Sequence, residues 1–176
     1  MRASPLLPSL KRQRGAAAVE FALIGGLLIA LIYAIFEFSR MLFVYSSMQE
    51  ITRRGAREAT VRWVDQTSTI KRLALFGSTT LPGGPEVTDA NIFIRYLQAN
   101  GIDEVTTTPL DAGDNLAACI DATRTTECIM YVEVSVQNVV YTPVIFKPGK
   151  MSVSKIATTL PRATTTVYAE SMGFAN

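Results

Sequence analysis

Residues 21–36, FALIGGLLIALIYAIF, carry no charge. As a helix, these sixteen residues extend about 24 Å, short of a hydrocarbon core of ~30 Å. Adding Ala16, Ala17, Ala18 and Val19 brings the run near the ~20 residues that a span needs, at the cost of including Glu20. Apolar character resumes past Glu37 with Phe38, Met41, Leu42, Phe43 and Val44. The pattern predicts a single membrane-spanning helix over 16–38. Residues 1–15, MRASPLLPSLKRQRG, contain Arg2, Lys11, Arg12 and Arg14 and no acid, a charge of +4. A basic cluster on that flank places the N-terminus in the cytoplasm, by the positive-inside rule. The C-terminal domain is then periplasmic and the chain is expected in the inner membrane as a single-pass protein. A removable secretory signal would need a small-residue site after the apolar core. Glu37-Phe38-Ser39-Arg40-Met41-Leu42-Phe43-Val44 offers none.

Composition narrows the chemistry. The 176 residues are 48% hydrophobic and 18% charged, with mean hydropathy +0.23, which excludes a disordered tail. Histidine is absent, which removes Ser-His-Asp and Cys-His catalysis, His-ligated zinc and histidine pH switches. Two cysteines cannot build a four-thiolate metal site, so neither cofactor nor metal is expected. Net charge is +2, from 17 basic and 15 acidic residues, too balanced to argue for nucleic acid.

The junction between leader and apolar run reads Arg14-Gly15-Ala16-Ala17-Ala18-Val19-Glu20-Phe21. A basic leader ends in Gly, an acid stands five residues later, and an aromatic opens the apolar run. This resembles the type IV prepilin signal, in which a membrane peptidase cuts after the Gly. The resemblance implies a cut between Gly15 and Ala16, with Glu20 at mature position five. A carboxylate inside an apolar helix is costly and needs a partner. Cleavage would create an ammonium at Ala16, four residues from Glu20 and on the same helix face. That amine, or a neighbouring subunit's, can neutralise Glu20, and in prepilins this pairing is thought to set register. The other reading of Glu20 is a headgroup-level acid on an uncleaved anchor.

Ala18, Ala22, Gly26, Ala30 and Ala34 recur every four residues, a small-residue stripe of the kind that lets helices approach closely in lipid. From 37 to about 64 there is no Pro, and Met41, Val44, Met48, Ile51, Gly55 and Ala59 keep spacings of three and four. An amphipathic continuation of the helix is therefore expected over 39–64. Its opposite face carries Arg53, Arg54, Arg57 and Arg62, with Glu50 and Glu58 placed for helical ion pairs. The arginine run reads as a solvated face rather than a lipid or nucleic-acid patch.

Gly15-Ala-Ala-Ala-Val-Glu-Phe-Ala-Leu, Phe36-Glu-Phe-Ser-Arg-Met-Leu-Phe-Val and Arg53-Arg-Gly-Ala-Arg-Glu-Ala together resemble the N-terminal region of TadE-like proteins. These are minor pilins or pseudopilins of the tight-adherence (Flp) pilus system. The strong part of the likeness covers residues 14–60; later residues such as Tyr141-Thr142-Pro143 resemble the family only loosely. The resemblance implies processing by a prepilin peptidase, with an inner-membrane assembly platform, other pilin or pseudopilin subunits and membrane lipid as partners.

The remainder, 65–176, reads as an extracytoplasmic α+β domain: a small, mostly antiparallel sheet packed on the long helix. Residues 69–76 predict a short helix stopped by Gly77, and Pro82-Gly83-Gly84-Pro85 a loop. Thr88 or Asp89 is expected to cap a helix carrying Ile92, Phe93, Tyr96 and Leu97, ended by Asn100-Gly101. Residues 103–114 read as a polar loop. Residues 128–137 alternate as a strand, with Met130, Val132, Val134 and Val136 on one face. Further strands are expected at 139–146, 151–158 and 163–169, with edges or bulges at Pro143 and Pro148. An oxidising compartment permits a disulfide between Cys119 and Cys128.

Catalytic readings are thin. Ser68-x-x-Lys71 and Ser152-x-x-Lys155 fit a short spacing found in some hydrolases, without the supporting Ser-Asp-Asn and Lys-Thr-Gly elements. Asp111 and Asp114 lack a ligand-rich context for calcium, and no phosphate-binding Gly loop is present. The expectation is a non-enzymatic minor pilin or pseudopilin of a tight-adherence pilus. A pseudopilin serving secretion and a signal-anchored periplasmic binding protein or enzyme are the alternatives.

Overall fold

A computed structural model of the chain describes residues 14–143, 157–169 and 172. The expected leader up to residue 13, the strand portions 144–146 and 151–156, Pro148 and the Ser152–Lys155 pair lie outside the described residues. The class is α+β, and the chain divides into two compact units, Met1–Ser39 and Arg40–Asn176. One helix, α1 (Arg14–Val61), contributes to both.

In the first unit, α1 is exposed apart from the half-buried Gly25 and Glu37, although its large side chains from Val19 to Phe38 are apolar save Glu20, Glu37 and the Tyr33 hydroxyl. Ser39 closes this stretch by donating its hydroxyl to the Ile35 carbonyl at 2.8 Å.

In the second unit the helix becomes one-sided. Val44, Met48, Ile51, Ala56 and Ala59 are buried, while Arg53, Arg54 and Arg57 are exposed. Glu50–Arg54 (2.9 Å) and Glu58–Arg62 (3.0 Å) form the four-apart ion pairs read from the sequence. A 3-10 turn (Val64–Gln66) leads into α2 (Thr67–Ala74), which buries Ile70 and Ala74. α2 starts and ends two residues earlier than the expected 69–76. Phe76 (φ 59°) adopts the left-handed conformation just ahead of Gly77 (φ 84°), and Gly77 N–H bonds back to the Arg72 carbonyl at 2.9 Å. A bulky residue there costs about 1 kcal/mol or more. Phe76 lies 4.2 Å from the Arg54 guanidinium, a cation–π contact that offsets part of this.

β1 (Thr80–Leu81) and β2 (Gly84–Thr88) form a hairpin around the Pro-Gly-Gly-Pro segment. That segment is shorter as a loop than its composition suggests, since Gly84 and Pro85 already belong to β2. Gly84 is closely approached: a Cβ there would lie 2.8 Å from Leu81 Cδ2, so the buried Leu81 side chain would have to shift.

The helix expected after Thr88 is not formed. Thr88 does cap, but only a single 3-10 turn (Asp89–Asn91), its N–H donating to Asn91 Oδ1 at 2.9 Å. Ile92–Leu97 is then β3. The reason is physical: Ile-Phe-Ile-Arg-Tyr-Leu is rich in β-branched and aromatic residues. It finds a six-residue antiparallel partner in β4 (Tyr131–Val136), running from Ile92 opposite Val136 to Leu97 opposite Tyr131. The polar stretch 103–114 is likewise shorter as a loop than expected. Asp111 accepts the Asp114 N–H at 2.8 Å and starts α3 (Ala112–Ile120).

β5 (Val140–Tyr141) pairs with β6 (Thr158–Thr159), and β7 (Ala163–Tyr168) joins the other edge of β4. The described strands thus make three small antiparallel sheets, the central one ordered β3-β4-β7. Val132, Val134 and Val136 of β4 are fully buried and join Ile51, Ile70, Val87 and Ile92 in one core. Burying each such side chain contributes about 1.5–3 kcal/mol. Gly55 lets α1 approach the sheet, for a Cβ there would stand 3.0 Å from Val134 Cγ1 and 3.4 Å from Ala74 Cβ.

Candidate functional site: the N-terminal helix

Gly15, Ala16, Glu20 and Phe21 lie in the first two turns of α1, and all are exposed, Phe21 by 79%. Ala16 and Glu20 are one helical turn apart, so an amine at residue 16 would share a face with the Glu20 carboxylate. Nothing stands within 4 Å of where a Cβ would sit on Gly15, Gly25 or Gly26. Close packing within the chain therefore does not explain these glycines.

Leu27, Leu28, Leu31, Ile32, Ile35 and Phe36 all keep more than two fifths of their surface open. A row of that length in water would forfeit about 25 cal/mol for every Å² left exposed. The helix Gly15–Val61 is long and apolar enough to cross a membrane, and its most apolar window buries nothing within the chain. It is compatible with a membrane anchor.

Ala18, Ala22, Gly26, Ala30 and Ala34 are likewise all exposed. A four-residue step over-rotates by about 40° on a helix of 3.6 residues per turn, so the stripe winds slowly around α1.

Arg40 of α1 ion-pairs with Glu86 of β2 and donates to Tyr141 Oη at 3.2 Å and to the Thr142 carbonyl at 3.3 Å. Its guanidinium also sits 4.9 Å from the centre of the Tyr141 ring. These contacts tie the start of the outer unit to β2 and β5. Nothing in the local pattern signals them, because Arg40 and Glu86 are 46 residues apart.

α3 is the element that sequence reasoning missed. The structure joins its Cys119 to Cys128, with Cα atoms 4.7 Å apart. Buried Asn115 receives the Ile129 N–H at 2.8 Å and donates to the Ile129 carbonyl at 3.3 Å. Arg124 bridges Asp114 (3.0 Å) and Glu127 (2.7 Å). The Leu110 N–H and then Arg124 hold the Asp114 carboxyl below the usual carboxylate range. The available sequence signal was an Asp three residues ahead of another acid at 111–114, a helix start rather than a calcium loop.

The remaining chemical candidates do not converge. Ser68 and Lys71 are on α2, but no hydrogen bond joins them among the described residues. No group of three metal-capable side chains occurs among the described residues.

Residues 15–57 match the model of a family described as TadE-like protein. The match begins at Gly15, runs along α1 past Gly55 and ends before α2. No curated protein and no solved structure matches the chain.

Proposed function

From this TadE-like match over residues 15–57, we propose that the chain is a minor pilin or pseudopilin acting in assembly of a tight-adherence pilus. The observation that carries the reading is the coincidence at one point in the chain. The family match opens at Gly15, where the basic leader ends and the Ala-Ala-Ala-Val-Glu-Phe sequence begins. A prepilin peptidase cuts between Gly15 and Ala16. The protein is held in the inner membrane with its N-terminus in the cytoplasm and its outer domain in the periplasm, until an assembly platform moves it into a fibre.

Each part has a physical role. The new Ala16 ammonium, from the same subunit or its neighbour, neutralises Glu20 in a medium where an unpaired carboxylate costs at least ~2.5 kcal/mol. Where the ammonium is the neighbour's, register follows, because only one axial offset brings the two charges together. The stripe Ala18, Ala22, Gly26, Ala30 and Ala34 lets neighbouring helices pack closely against α1, where dispersion replaces the hydrophobic effect. The outer domain provides a contact surface and no catalysis.

The test is Glu20→Ala expressed from the native locus. Cleavage is expected to survive largely intact while surface piliation fails. Unchanged piliation would argue against the register role.

A further inference from the structure

The outer domain carries two surfaces that a single copy leaves unmatched. The first is α3. Its inner side buries Asn115 and Ala118, while its outer side exposes Leu116 by 55% and Ile120 by 77%, with Leu110 beside the helix exposed by 88%. These apolar side chains sit on a segment, 98–130, that holds six acidic residues and one arginine; Glu104 pairs with Arg95, and Asp114 and Glu127 with Arg124, which leaves Asp103, Asp111 and Asp121 without an ion-pair partner among the described residues. The segment is fixed by the Cys119–Cys128 disulfide, the Asn115–Ile129 hydrogen bonds and the Arg124 bridge, so the protrusion is presented in one shape. An apolar cluster held rigidly in the open is the signature of a contact surface.

The second surface is a groove of about 620 Å³ between α1 and α2. Leu73 and Phe76 give it an apolar floor, and Glu50, Arg54, Arg57 and Glu58 form its rim. Both rim carboxylates are already engaged, Glu50 by Arg54 and Glu58 by Arg62. Arg57 has no carboxylate partner among the described residues. The groove therefore offers apolar surface with uncompensated positive charge, which complements the apolar protrusion with its excess of acids.

We infer that α3 of one copy docks in the α1–α2 groove of a second copy of this chain. The contact is heterologous: each copy uses a different face, so each addition leaves one protrusion and one groove free. Such a contact extends into a row instead of closing into a dimer. It rests on the proposed assembly role only for its setting, copies held side by side in one membrane.

The test uses full-length chain in native membranes, with photoreactive benzoylphenylalanine in place of Ile120. Irradiation is expected to give an adduct of twice the monomer mass, with the crosslink mapping to residues 50–77 of the second copy. Arg57→Glu should cut its yield roughly tenfold, because it sets like charges against each other across the contact. A reciprocal probe replacing Leu73 should return the adduct to 110–121, which guards against misfolding of the first variant. Adducts to lipid, to another protein or to α3 of the second copy would overturn the inference, as would a yield indifferent to Arg57→Glu. Chains that still begin at Met1 yet give the mapped adduct would sink the processing reading and leave this contact standing.

Discussion

The packing of α1 on the sheet can be tested at Gly55. Gly55→Ala has two opposed effects. Replacing Gly in a helix interior gains about 1 kcal/mol of propensity. The added methyl, however, would lie 3.0 Å from Val134 Cγ1 and 3.4 Å from Ala74 Cβ, closer than ordinary van der Waals contact. Overpacking of this sort costs about 1–3 kcal/mol, so the single variant is expected to be neutral to ~2 kcal/mol less stable. Val134 is fully buried, and Val134→Ala deletes two methyl-sized groups, worth ~1.6 kcal/mol before any cavity penalty. In the double variant the new methyl occupies the space that Val134 vacates. The clash disappears, the propensity gain remains, and the cavity partly fills. The double variant should then be about 1–3 kcal/mol more stable than the sum of the two single changes.

Trp63 provides the assay. It is the only tryptophan and packs against the core, so its fluorescence during urea unfolding of the full chain in mild detergent reports on the outer domain. Single effects that add to within ~0.5 kcal/mol would refute direct contact between Gly55 and Val134.

Three further outcomes follow from the outer unit. Replacing Cys119 and Cys128 by Ser opens a loop with a sequence separation of 9 and should cost about 2–3 kcal/mol, read as a lower urea midpoint that reductant reproduces in the parent chain. Arg40→Ala leaves the Glu86 carboxylate, whose side chain is only 12% exposed, without its cation; a loss of about 2–4 kcal/mol is expected, with Glu86→Gln in the same chain recovering part of it. Because the Leu110 N–H and Arg124 hold the Asp114 carboxyl below its ordinary 3.8, its contribution is full above that value and lost as pH falls through the lower, folded-state range. Urea midpoints should therefore drop below about pH 4 in the parent and drop less in Asp114→Asn.

What the sequence disclosed depended on how local the cause was. The buried face of α1 in the outer unit was legible because Val44, Met48, Ile51 and Ala59 repeat with the helix period. Strand β4 was legible because Val132, Val134 and Val136 alternate. β3 was not: Ile92, Phe93, Tyr96 and Leu97 also satisfy a helical spacing, and only pairing with β4, some 40 residues on, decides between the two. α3 was hidden by small and polar residues, Ala112, Gly113 and Asp114, which weaken a helical pattern while Asp111 and Asn115 fix it by hydrogen bonds. The Arg40–Glu86 pair has no local signature, since each residue alone looks like an ordinary surface charge. At the N-terminal helix the position was reversed. Gly15, Ala16, Glu20 and Phe21 fall within seven residues and the stripe from Ala18 to Ala34 is a local repeat, so both are candidates that the sequence alone puts forward, and α1 carries them. Which neighbours occupy those faces depends on other molecules, and no pattern within one chain encodes that.

The central claim concerns one peptide bond. Removing residues 1–15 takes away four positive charges and leaves 13 basic against 15 acidic residues, a net charge of −2 in place of +2. N-terminal sequencing of the protein extracted from membranes of cells with an active prepilin peptidase tests this most directly. A sequence beginning Ala16-Ala-Ala-Val-Glu-Phe is the expected result. An intact Met1 start would contradict the account.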